Sequence, residues 1–155
     1  MVEIKMQRQR MVEPEEKLWR IIPQPWVTNG RVTNLAFRPT PHDAGYLSIC
    51  RSEAISAEDA YQARSEQIRK RCEDQGKPHK PPAGVLSVTV AEVEEVSLED
   101  GSTPLTAWDD SAAKDVPDYH GHIDFSPIVD NKDQVSTASD ILTSVARARG
   151  WEYSP

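Results

Sequence analysis

The alternation of apolar and polar residues predicts strands before anything else. Gly84–Val90 is the clearest case. Leu86, Val88 and Val90 fall on one face and Ser87 and Thr89 on the other, a period of two. Leu18-Trp19-Arg20-Ile21-Ile22 reads as a short strand stopped by Pro23 and Pro25, because proline cannot donate to a ladder. Between Val27 and Val32 the pair Asn29-Gly30 predicts a tight hairpin, since both residues tolerate positive φ. Tyr46–Cys50 is a further strand candidate.

Two stretches carry helical periodicity instead. After Ser56, whose hydroxyl can cap a helix, Ala57, Tyr61, Ile68 and Cys72 recur at helical multiples until Gly76, which predicts a helix over about 57–75. Ala138, Ile141, Leu142, Val145 and Ala146 follow i, i+3, i+4, i+7, i+8, which predicts a second helix over about 137–149. Ser136 or Thr137 would cap it, Arg147 and Arg149 suit its negative end, and Gly150 stops it. Trp151 is expected to fold back on this helix. Glu92–Asp118 shows little periodicity and reads mainly as polar loop.

These elements predict a small α+β domain: a mostly antiparallel sheet with two main helices, both able to cover one face, and long polar loops. Residues 1–16 read as a polar lead-in and 17–155 as a single domain, with Met11 an alternative to Met1 as the start of translation. A chain of 155 residues has the length of one domain. Leu, Ile, Val and Phe number only 31, so the predicted core is lean.

Charge narrows the function classes. The net charge is −7, divided as +3 over residues 1–80 and −10 over residues 81–155. Such a balance argues against direct nucleic-acid binding, which needs a basic face to displace counterions from phosphates. Between Glu92 and Asp133 there are 12 acids against only Lys114 and Lys132. An acidic loop face of this kind suits an interaction module, of immunity, inhibitor or adaptor type, that engages a basic protein partner. Trp108, Asp109, Asp110, Asp115 and Asp118 are the residues expected to meet that partner, and this reading requires no cofactor. Cys50 and Cys72 form no Cys-x-x-Cys pair, no signal-like leader opens the chain and no 18-residue apolar run occurs, so a reduced cytoplasmic protein away from membranes is expected.

The residues with most chemistry lie in Asp118-Tyr119-His120-Gly121-His122-Ile123-Asp124. On an extended strand, side chains at i and i+2 share a face, so His120, His122 and Asp124 can converge on zinc, another divalent metal or a substrate. Asp109, Asp110, Asp118 and His42 are candidates to complete a metal site. Without metal, His120 and His122 can act as general base and general acid in a phosphodiesterase- or nuclease-like hydrolase. Arg38, or Arg20, Arg31 or Arg51, would then stabilise developing charge. His120-Gly121-His122-Ile123-Asp124 is similar to the His-x-His-x-Asp signature of metallo-β-lactamase-like hydrolases. It departs from that pattern at Phe125, where the family has histidine, and no histidine follows to complete the ligand set.

A second resemblance spans residues 18–66. Leu18–Ile22, Ala36-Phe37-Arg38-Pro39, Tyr46-Leu47-Ser48 and a helix carrying Glu58 and Glu66 look like the entry half of RES-type NAD-degrading toxin domains. That resemblance implies an early arginine on the cofactor and a catalytic glutamate.

Overall fold

A computed structural model describes residues 7–40 and 44–155; Met1 and His42 lie outside these. Among the described residues eight strands are formed: β1 (Gln9–Arg10), β2 (Lys17–Ile22), β3 (Val27–Thr28), β4 (Arg31–Val32), β5 (Tyr46–Arg51), β6 (Gly84–Thr89), β7 (Thr106–Asp109) and β8 (His120–Asp124). The same residues form three α-helices: α1 (Ala57–Asp74), α2 (Val90–Glu94) and α3 (Lys132–Arg149). Six strands form one sheet in the order β1-β7-β8-β5-β2-β6, and β3 and β4 form a separate hairpin. Every neighbouring pair in both sheets is antiparallel. The α+β expectation holds.

Local chemistry explains most boundaries. Asn29 and Gly30 take φ of 52° and 76°, the paired left-handed geometry of the β3–β4 turn. The Ser56 hydroxyl accepts from Asp59 N and caps α1. At α2 the capping is reciprocal: Thr89 accepts from Glu92 N while the Glu92 carboxylate accepts from Thr89 N. The capping box halts the β6 alternation, so Val90 opens a helix instead of ending a strand.

The last helix starts five residues earlier than its apolar stripe suggested. Asn131 is its cap, accepting from Gln134 N at 3.1 Å, and Ser136 and Thr137 lie within it. The added turn brings Val135 into the buried row with Ala138, Leu142 and Ala146. Part of the 1–16 segment also belongs to the sheet, since β1 pairs with β7 and Met11 is buried in the core.

The two long helices lie on opposite faces, where one shared face was expected. Along β2, Leu18 and Ile22 join the main core with Ala138, Leu142 and Ala146 of α3. Trp19 and Ile21 point the other way, into a cluster with Ala60 and Tyr61 of α1. Alternate residues of a strand face opposite sides, so the sheet is sandwiched. Glu152 N donates to Val85 O and Val85 N to Tyr153 O, so the C-terminal segment lines the free edge of β6. The Trp151 ring lies against Gly84, where an added Cβ would stand 2.7 Å from Cε3. Among the described residues no helix is long and apolar enough to cross a membrane.

Leu142 is fully buried between α3 and the sheet. Leu142→Ala should lower the unfolding free energy by about 2–5 kcal/mol in urea titrations. A loss under about 1 kcal/mol would mean that α3 does not close the main core.

Candidate functional site

β8 places His120, His122 and Asp124 on one face, as the spacing predicted, opposite Cys50, Ser48 and Tyr46 of β5. Gly121 and Ile123 face the main core side. Gly121 is required by close approach: a Cβ there would lie 2.7 Å from the Trp108 carbonyl oxygen and 2.9 Å from Ile49 Cδ1.

The two imidazoles converge on one carboxylate. Asp110, just after β7, takes His120 Nδ1 on Oδ1 at 2.6 Å and His122 Nδ1 on Oδ2 at 2.8 Å. Burial opposes ionisation of Asp110, but the hydrogen bonds from His120 and His122 outweigh it and hold its pKa well below the usual carboxylate range. An ionised carboxylate only accepts, so both Nδ1 atoms carry the proton. On the far side of His122, Nε2 meets Arg8 Nη1 at 3.1 Å. A guanidinium only donates, so this Nε2 accepts.

Arg8 joins the remaining members. Its Nη1 also donates to Asp124 Oδ2 at 2.8 Å, and its guanidinium lies 3.8 Å from the Trp108 ring centroid and 5.6 Å from that of Tyr46. Asp124 in turn accepts from Ser126 N. Burial of Asp124 is outweighed by these bonds from Ser126 and Arg8, so its pKa is lowered. Thus the cation between His122 and Asp124 is Arg8. Among the described residues, no three His, Cys, Asp or Glu side chains are grouped to hold a metal ion. The candidate metal set His120, His122 and Asp124 is a row of three, tied by hydrogen bonds to Asp110 and Arg8.

The histidines are not equivalent. His122 is 2% exposed with both ring nitrogens engaged. His120 keeps Nε2 available and lines a cleft of about 510 Å³ between α1 and the sheet. The paired acid–base arrangement is therefore not assembled on one substrate site. The cleft opens where β2 and β5 separate after the pair Trp19↔Cys50. Arg20 spans the gap, donating from Nε to Ala36 O and from Nη1 to Ser48 O. Trp19, Ile21 and Cys50 line it from the sheet, Arg64, Gln67 and Ile68 from α1, and Pro117 and Tyr119 from the approach to β8. Trp26 stands at its edge, its ring 5.2 Å from the Arg20 guanidinium. Burial pushes the Cys50 thiol up to about 11, so it stays a thiol at neutral pH in spite of Arg20 and Arg64.

Other sequence candidates lie elsewhere. Arg38 follows a 3-10 turn at Asn34–Phe37 and does not line the cleft. Glu58 and Glu66 are exposed on α1, with Glu66 paired to Arg69. Of the residues expected to meet a basic partner, three are engaged within the molecule. Asp110 holds the histidines. Asp109 pairs with Arg51 at 3.0 Å and accepts from Ser111. Trp108 is covered by Arg8 and donates to Thr106. Only Asp115 and Asp118 are exposed, both in the connection from β7 to β8.

Neither Arg8 nor Arg64 is marked by the sequence pattern as a site residue. Arg8 sits in a stretch without periodicity and leaves no signal. Arg64 does leave one: it is three residues after Tyr61 and four before Ile68, a charge in the apolar stripe of α1. Compared with known families, curated proteins and solved structures, the chain finds no match.

Asp110→Ala would leave the Nδ1–H donors of both imidazoles without an acceptor and should cost on the order of 3 kcal/mol at pH 7. The depressed pKa also fixes the sign of the acid response. Asp110 contributes its full stability above the unfolded carboxylate value, near about 4, and loses it as pH falls from there through its own lower pKa. The wild-type chain should therefore lose stability more steeply below about pH 4 than Asp110→Ala does. Parallel acid limbs in unfolding titrations would refute this role. Gly121→Ala should destabilise by about 1–3 kcal/mol, because β7 backbone occupies the methyl position.

Proposed function

We propose that the chain is a small protein-interaction module whose recognition site is the cleft between α1 and the sheet. The lining carries this reading. Trp19, Trp26, Tyr119, Arg20 and Arg64 meet in one concavity, and Trp, Tyr and Arg are the residues that dominate binding hot spots. A volume near 510 Å³ suits a short extended segment of a partner rather than a folded surface.

The acidic character contributes at the rim instead of the floor. Asp115 and Asp118 are exposed on the connection that also supplies Pro117 and Tyr119 to the wall of the cleft. Acids so placed favour a partner with basic residues flanking the bound segment and speed its approach. The reading stays within the interaction class expected from composition, with the contact surface moved from an acidic loop face to an aromatic cleft.

A peptide array covering varied short segments should retain the wild-type chain on a subset of spots. Trp26→Ala should weaken those spots about tenfold or more, while Trp151→Ala, outside the cleft, should leave them unchanged. Added salt should weaken binding further where basic flanks contribute. Equal retention of wild type and Trp26→Ala on every spot would remove the cleft as the recognition site.

A further inference from the structure

Among the described residues the lining of the cleft is basic, whereas the chain as a whole is acidic. The chain carries −7 overall, yet among the described residues the cleft is lined by Arg20, Arg64 and His120 and by no acid. Arg64 is the group without compensation. It is half-buried in the apolar stripe of α1, and no acidic side chain among the described residues pairs with it. Among the described residues its hydrogen bond runs from Nη1 to Gln67 Oε1 at 3.2 Å, within the same helix. A guanidinium offers five N–H donors in a planar fork suited to a carboxylate or phosphate.

The neighbours add to the demand. Burial is the main influence lowering the Arg64 pKa, and the like charge of Arg71 adds to it. The other arginines of α1 differ: Arg69 is clamped by Glu66 and Glu73. Cys50 connects Arg64 to the strand side of the cleft, being within reach of the Arg64 charge and directly across from His120. Leaving such a cation half-buried and unpaired is costly, and an anionic group entering the cleft removes that cost.

We propose that Arg64 is an oxyanion-binding residue, and that the segment bound in the cleft presents a carboxylate or a phosphate to it. This rests on the recognition reading above and adds the chemistry of the bound group. The Gln67 side chain, three residues on along α1, accepts from one arm of the fork and orients it.

The test uses the full chain with two simple probes, inorganic phosphate and acetate, followed by the Arg64 Nε–H resonance and by thermal unfolding. A saturable shift of that resonance with a rise in melting temperature is expected, and Arg64→Gln should weaken binding about tenfold or more. Arg69→Gln, on the solvent side of the same helix, should not. Because Arg64→Gln alters a half-buried position, alkylation of Cys50 in the wild-type chain gives an independent reading. Mapped by mass and compared with Cys72, it should slow when the probe occupies the cleft. Preference for phosphate would indicate a phosphorylated segment, and preference for acetate an acidic side chain or chain terminus. No saturable shift, or equal binding by Arg64→Gln, would overturn the proposal. If peptides still bind in a Trp26-dependent manner in that event, only the oxyanion assignment fails.

Discussion

One carboxylate between two imidazoles organises this end of the molecule. Asp110 accepts from Nδ1 of both His120 and His122. That choice fixes the proton on the same nitrogen of each ring and leaves the two Nε2 atoms to different uses. On His122 it meets Arg8, whose other contacts with Asp124 and Trp108 draw the residue before β1 onto the sheet. On His120 it remains at the wall of the cleft. The geometry also demands Gly121, because β7 must come close enough to β8 for its next residue to reach both rings. A buried carboxylate is tolerated only when several donors surround it, so the histidines, the glycine and Asp110 form a single unit.

The acids of the C-terminal half divide into two populations. Asp109, Asp110 and Asp124 act inside the fold, each with a cation or N–H donors in contact. Asp115 and Asp118 are exposed on the loop above. Among the described residues the cleft is lined by apolar and aromatic side chains with Arg20 and Arg64 and by no acid, a contrast with that loop. A contrast of this kind fixes the register of a bound chain better than a uniformly charged face does, and the proposed recognition role draws on it.

Sandwiching the sheet between α1 and α3 creates the cleft in the first place. α3 offers a full apolar row and seals its face with Ala138, Leu142 and Ala146. α1 offers little beyond Ala60 and Tyr61 and packs on β2 and β6 at one end of the sheet. The narrow stripe leaves space beside it, and β2 and β5 diverge under that space after a single shared stretch. A helix with a wider apolar face would have closed the gap and buried Cys50 completely.

Local chemistry was legible in the residues themselves: the Asn29-Gly30 turn, the Ser56 cap, the β6 alternation and the shared face of His120, His122 and Asp124. These depend on backbone preferences and short-range periodicity, which neighbours in sequence set. The start of α3 was harder to place, because the Asn131 cap lies outside the apolar stripe. β7 has four residues, of which Ala107 alone is fully buried, so its sequence carries almost no period. Which faces the helices cover, which acid reaches the histidines and what Arg8 and Arg64 contact were decided only in three dimensions. Those contacts join residues up to 116 positions apart, and a carboxylate or guanidinium has no local preference that reveals its partner. The sequence determined the longer elements and the strand face that holds the histidines. The tertiary structure decided that Asp110 and Arg8 engage that face, because only folding sets the burial that makes their pairing necessary.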